Sequence, residues 1–365
     1  MLFRPLWLSM HKEIMKKLLH KWRKPVQKTI PTRITNETVA EHRERILAGG
    51  RRFKYPMQYA RHRLVSMTIV ITLVAFLLIL LVGWWQLYPA QNTNTFLYRV
   101  TRVVPLPVAS VDGESVKYSD YLMYYNSSAH YLKQSEQLNL NSNDGQLQNN
   151  HIKRKSMDIA IANSYAAKLA RELGINVSQQ RIDQVTDDDR NTSTGRISQE
   201  TYDASALSIL GWTPSEYRHD TKNRLIRQDV AYAIDAKAKQ QQEKATQLIQ
   251  NDKAIDFDVL AKELGGEGDA KVTAAVSGLV PRTNQDGGLT RAALSLEKGG
   301  LSSPIRTSAG DGYYFVKLLE KTETQVSYAY VRIPLTEFNS RLEALKKQDK
   351  VKEFIKIADE VETAR

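Results

Sequence analysis

Residues 64–85 read LVSMTIVITLVAFLLILLVGWW, and no Asp, Glu, Lys or Arg occurs anywhere between Arg63 and Arg99. An apolar run of this length, at about 1.5 Å per helical residue, reaches across the ~30 Å hydrocarbon layer of a bilayer. Trp84, Trp85 and Tyr88 close the run and suit an interfacial aromatic belt. A membrane helix over Leu64–Tyr88 is therefore expected. A buried helix of a soluble domain would seldom be apolar on all sides for so long. A cleaved signal peptide would carry a short charged leader, whereas 63 residues precede this run, and Tyr88-Pro89-Ala90 lacks the small residue wanted before a cut. The lipid bilayer is thus the first expected partner.

Charge distribution agrees. The chain holds 52 Lys+Arg and 40 Asp+Glu, of which 16 and 4 precede residue 64, leaving 36 of each beyond it. The formal charge of +12 lies entirely in the first 63 residues, so the high pI describes a tail and not a nucleic-acid-binding domain; no nucleic acid partner is expected. Arg51, Arg52, Lys54, Arg61 and Arg63 sit on one side of the apolar run, with nothing charged for ten residues on the other. That bias predicts an N-terminus inside and a C-terminal portion outside a bacterial cytoplasmic membrane. The run KEIMKKLLHKWRKP (12–25) could rest on anionic lipid head groups. There is no cysteine, so the outer portion must be stabilised without disulfides.

Beyond the anchor, PAQNTNTFLYRV reads as a polar tether, and VVPLPVASVDGESV as a strand broken by an Asp112-Gly113 turn. Tyr118, Leu122, Tyr125, Ala129 and Leu132 fall on one helical face; Met157, Ile161, Tyr165, Leu169 and Leu173 form another, ended by Gly174. QLNLNSNDGQLQNN between them reads as a loop. Thr213-Pro214-Ser215-Glu216 combines a cap, Pro at the first helical position and a capping-box Glu, so a long helix should follow. Its continuation, AKAKQQQEKATQLIQ, is polar enough to read as a connector. After it come a short amphipathic helix around Phe257, Leu260, Ala261 and Leu264, a Gly-rich loop, and short strands alternating with turns.

The order of these elements resembles the foldases of the SurA and PrsA type, with a SurA-like N-terminal chaperone region followed by a parvulin-like domain. The phrases that carry the resemblance are VASVDGESV, YAAKLARELGINVS, LGWTPSEYRHDTKNRLIRQDV, IDFDVLAKEL, LSLEKGGLSSPIRTSAGDGYYFVKLLEK and QVSYAYVRIP. It implies an α+β chain: basic tail (1–63), membrane helix (64–88), tether (89–103), mostly helical SurA-like region (104–235), connecting helix (236–253), small α/β parvulin-like domain (254–335) and C-terminal helix (336–365). It also implies unfolded secreted or envelope proteins as partners and no cofactor or metal. Parvulins rotate peptidyl-proline bonds, usually with two histidines and an Asp or Cys. Here Tyr314 and Tyr330 stand where histidines are usual and Val276 stands at the acid, and none of the seven histidines lies beyond His219. QVSYAYVRIP also follows the strand it would normally precede, which favours a permuted sheet.

Three functions stay open from these residues: a chaperone without strong isomerase activity, an isomerase that uses the hydroxyls of Tyr314 and Tyr330, and a non-catalytic envelope scaffold. Client binding is expected at Tyr118, Tyr121, Tyr124, Tyr125 and Tyr131, whose rings cover more than one face of their helix, and at Leu279 and Phe315. Aspartates 187–189 lack the alternating ligands of a calcium loop, Gly265, Gly266 and Gly268 lack the Lys-Ser/Thr of a phosphate loop, and no nucleophile elbow is present.

Overall fold

The structure is a computed structural model and describes residues 35–54, 56–140, 142–192 and 195–358. The basic run 12–25, expected on lipid, lies outside the described residues. The chain forms two units, 1–81 and 82–365. In the first, helix α1 (Asn36–Lys54) precedes α2 (Pro56–Leu87), whose last turns belong to the second unit. Within α2 the segment Arg63–Leu87 is long and apolar enough to cross a membrane, and none of its most apolar window is buried by protein.

The second unit opens where α2 ends. Leu87 is buried, and its carbonyl accepts a 2.6 Å hydrogen bond from the Tyr118 hydroxyl; Tyr88 donates to the Pro107 carbonyl, also at 2.6 Å. The expected tether is not loose chain. Residues 88–94 fold back through hydrogen bonds such as Asn92 Nδ2 to Gln86 Oε1, and Thr95–Val103 is a helix, α3, with Leu97, Tyr98 and Thr101 buried. Asn94 caps it, which explains why a polar, uncharged stretch turns helical there.

Strands β1 (Pro107–Val111) and β2 (Glu114–Lys117) form a hairpin. Asp112 and Gly113 both take positive φ, 47° and 82°, the backbone that a two-residue hairpin turn requires. Helices α4 (Tyr118–Gln134), α5 (Asn143–Leu173), α6 (Gln179–Asp188), α7 (Gln199–Leu210) and α8 (Pro214–Ile234) follow, with a small hairpin of β3 (Asn191–Thr192) and β4 (Gly195–Arg196) after α6. The Asn/Gln-rich stretch read as a loop gives its second half to α5, because Ser142 caps the Gly145 amide and starts the helix early.

The first core gathers Val108, Val111, Val116, Tyr118, Leu122, Met157 and Ile161, together with Phe338, Leu342, Leu345, Ile355 and Ile357 from the C-terminal end. The helix expected over 336–365 is therefore corrected as far as residue 358, residues 359–365 lying outside the described residues. Helix α12 spans only Glu337–Lys347, and β10 (Val351–Glu353) joins β1 antiparallel, giving the sheet order β10-β1-β2.

A second core is inserted between. Helices α9 (Ala236–Asn251) and α10 (Phe257–Leu264) cover one face of a sheet ordered β5 (Thr273–Val276), β9 (Gln325–Pro334), β8 (Gly312–Lys321), β7 (Ile305–Arg306), with β6 (Val280–Pro281) also on β9. Ala238, Ala245 and Ile249 of α9 are buried there, so that helix is a wall of the core and not only a connector. Helix α11 (Leu289–Leu294) covers the other face. Strand β8 is apolar on both sides because both sides are covered: Tyr313 and Phe315 face α9 and α10, Tyr314 and Val316 face α11. The strand QVSYAYVRIP lies beside GYYFVKLLEK, pairing Phe315 with Val331 and Val316 with Tyr330.

Candidate functional site

Of the tyrosines expected to meet clients, four are core residues. Tyr118, Tyr121, Tyr124 and Tyr125 are buried, and only Tyr131 is exposed, at 42%. Helix α4 is enclosed by α3, the β1–β2 hairpin, α5 and α7, so rings on several of its faces are covered at once. Three of the buried hydroxyls find fixed partners: Tyr118 on the Leu87 carbonyl, Tyr124 on Asp220 at 2.9 Å, Tyr125 on Asn149 at 2.8 Å. Phe315 is likewise core, on the α10 side of the second sheet, while Leu279 is exposed. Client binding at Tyr118, Tyr121, Tyr124, Tyr125 and Phe315 is thus corrected: these side chains cannot meet another chain without opening the fold.

The surface with the properties expected of the tyrosines lies on α7. This helix has no buried residue, and Leu207 and Ile209 are 53% and 50% exposed. It is held from one side, by a 2.8 Å hydrogen bond between His130 Nε2 and the Ser208 carbonyl and by Gly211, where a Cβ would stand 3.1 Å from the His130 ring. Its other side borders a crevice of about 580 Å³ shared with α6 and α8 and lined by Asp183, Asp187, Tyr202, Pro214 and Tyr217. Tyr202 and Tyr217 meet edge to face at 5.2 Å, and burial pushes the Tyr202 phenol up to about 12. The rest of that crevice is polar, so shape-tolerant apolar contact is offered chiefly by the exposed Leu207 and Ile209, with Tyr202, Pro214 and Tyr217 as the apolar part of the neighbouring lining. The signal was present in the sequence as Leu207-x-Ile209-Leu210 ahead of a Gly, but an apolar trio of this kind reads equally well as core.

Tyr314 and Tyr330 do come together. They lie on adjacent strands of the face under α11, with ring centroids 6.0 Å apart, and Tyr328 continues the row at 6.3 Å from Tyr330. Tyr314 is buried, and its hydroxyl donates to Asp311 Oδ2 at 2.7 Å; Asp311 also accepts from Thr307 at 2.9 Å and stands 3.0 Å from Arg332 Nε. Burial first, and the Asp311 bond second, hold the Tyr314 phenol well above its ordinary range. Tyr328 is pinned in the same way to Asp286, which also accepts from the Thr290 amide and hydroxyl. These hydroxyls are engaged in the fold's own network. The cleft of about 410 Å³ at this end is lined by Asp188, Arg282, Asn284, Arg291 and Leu294 among others, and not by Tyr314 or Tyr330. Val276 is exposed and pairs with Ala329, whose side chain belongs to the opposite face. The pair of tyrosines and the residue at the acid position therefore do not share one pocket. Among the described residues no three His, Asp or Glu side chains converge as a metal site would need.

Residues 57–231 match the family model of the SurA-like N-terminal domain. The match runs through the apolar segment and the first core as far as α8, and supports kinship with the SurA and PrsA type and a chaperone-type function. It stops before the second sheet. No curated protein matches the chain.

Proposed function

We propose that the chain is a membrane-anchored chaperone that holds unfolded segments of secreted or envelope proteins, with residues 90–365 outside the membrane and the basic tail inside. The carrying observation is the SurA-like match over residues 57–231, in which α7 leaves Leu207 and Ile209 without protein cover. Full-length protein in lipid nanodiscs should slow aggregation of an unfolded client at stoichiometric amounts, and Leu207→Ser with Ile209→Ser should remove most of that effect. No protection of any client sinks the reading. Protease added outside intact cells should digest the outer portion and spare tail and anchor; protection of the outer portion would overturn the orientation.

On this reading the second sheet is a parvulin-like unit, permuted so that Gln325–Pro334 supplies the strand usually found at the start, and without strong isomerase activity. The support is the seat of that strand between Thr273–Val276 and Gly312–Lys321. The paired rings of Tyr314 and Tyr330 keep an isomerase as the second reading. A proline-limited refolding assay separates the two: acceleration lost in Tyr314→Phe with Tyr330→Phe establishes catalysis, and a rate equal to buffer ends it. A scaffold would instead recover one or two folded partners in a pull-down.

A further inference from the structure

Helix α3 buries Leu97, Tyr98 and Thr101, holds Val100 half-buried and presents the rest outward. Its outer side carries Phe96 and Val103, 71% and 83% exposed, with Arg99 and Arg102 between them, and the apolar surface continues into Val104. Phe96, Arg99 and Val103 are spaced 3 and 4 apart and form one stripe. No Asp or Glu occurs between Arg63 and Asp112, so α3 itself brings no acid to this face. Of the two cations, Arg102 is partly committed, 3.7 Å from Glu216 and 5.8 Å from the Tyr98 ring, and Arg99 is exposed. Aromatic and aliphatic side chains beside arginines, without acids, are the composition of a helix that lies in a lipid head-group layer.

Position selects the same occupant. The chain leaves α2 beside Trp84 and Trp85, both exposed, and turns back at once: Ala90 donates to the Trp85 carbonyl and Asn92 to the Gln86 carbonyl, each at 2.9 Å. Thr95 is eight residues past Leu87, so even fully extended chain could carry it no more than about 28 Å from the end of α2, and the folded-back turn keeps it nearer. Leu87 and Tyr88 are themselves fixed in the first core. The start of α3 is therefore tied within about 28 Å of the point where α2 ends.

We propose that the Phe96–Val103 face of α3 lies on the outer lipid surface as a second, shallow membrane contact, which fixes the tilt of the chaperone region and lets Arg99 pair with lipid phosphate. This rests on the membrane-spanning reading of Arg63–Leu87. The chain has no cysteine, so single-cysteine variants of the full protein can carry a fluorophore at one place each. In nanodiscs of mixed zwitterionic and anionic lipid, Leu77→Cys, Phe96→Cys, Val103→Cys and Leu207→Cys would be compared for quenching by lipids labelled near the head group or deep in the acyl chain. Deep quenching is expected at 77, and head-group quenching at 96 and 103 roughly twofold or more above that at 207, as a helix buried by only a few ångströms requires. Quenching at 77 with 96 and 103 no different from 207 overturns the shallow contact and leaves the anchor standing. No quenching at 77 removes the anchor, and the shallow contact with it.

Discussion

Glu216 joins two distant parts of the chain through one carboxylate. Its Oε2 accepts from the Thr213 amide and hydroxyl, both at 2.8 Å, closing the capping box of α8, and its Oε1 accepts from the Tyr98 hydroxyl of α3 at 2.5 Å. Burial raises its pKa, but the hydrogen bonds from Tyr98 and Thr213, with Arg102 nearby, outweigh it and leave the carboxyl below its ordinary value. Because the folded value is the lower one, the stabilisation is complete above the unfolded carboxyl pKa of about 4.3 and disappears as pH falls through the folded value. Thermal unfolding followed by circular dichroism should thus show a midpoint insensitive to this group near neutrality and falling at acid pH. Glu216→Gln should cost about 1–2 kcal/mol at pH 7 and flatten part of the acid decline; an unchanged acid slope would show that another group titrates there. The capping half of this device is legible in Thr213-Pro214-Ser215-Glu216. The Tyr98 half is not, because nothing local in a sequence marks a partner 118 residues away. The α4 tyrosines show the same limit: periodicity reports how many faces are aromatic, not how many neighbours will cover them.

At the level of elements, the C-terminal segment departs most from a sequence reading. LEALKKQDKVKEF is rich in good helix formers, yet Asp349 takes a left-handed backbone, φ 54°, and the chain leaves as strand. Asp tolerates that conformation at small cost, and the hydrogen bonds and burial gained on β1 offset it. Val351 pairs with Val111 and Glu353 with Ala109, while Ile355 and Ile357 enter the first core. Ile355→Ala should lower stability by about 2–4 kcal/mol, read as a reduced denaturant midpoint at constant slope. Stopping the chain after Gln348 should do more, since it also bares the edge of β1 to other chains; a truncated protein with the full-length midpoint would mean the strand is dispensable. By contrast, the β1–β2 turn, the Gly174 end of α5, the capping box of α8 and the short helix α10 follow their local signals, where residue chemistry alone fixes the backbone.

For the molecule as a whole, the first core is discontinuous in sequence. The chain leaves it at Ile234 and returns at Leu335, and Asp235 sits at the crossing: Oδ1 accepts from the Ala238 amide at 2.9 Å, Oδ2 from the amides of Thr336 and Glu337 at 2.8 and 3.1 Å. One buried carboxylate thus holds the outgoing and returning strands of chain side by side. Order along the sequence reveals the two regions, but not that the second is inserted into the first, since that depends on where residues 336–358 finally pack. Among the further links are Gln228 to the Thr307 carbonyl at 2.6 Å, Tyr232 to the Gly312 carbonyl at 2.5 Å and Arg306 over the Tyr232 ring at 5.0 Å. Adjacent ends make excision geometrically cheap, because a short loop closes with little entropy cost. Replacing residues 236–334 by a short Gly/Ser linker, with Tyr232→Ser to avoid a bared ring, should leave a protein that unfolds cooperatively with a smaller denaturant slope, in proportion to the surface lost. If α7 receives clients, this shortened protein should still slow their aggregation. If protection instead vanishes while cooperative unfolding persists, the receiving surface lies on the inserted unit, near exposed Val276 and Leu279, and the role assigned to Leu207 and Ile209 fails.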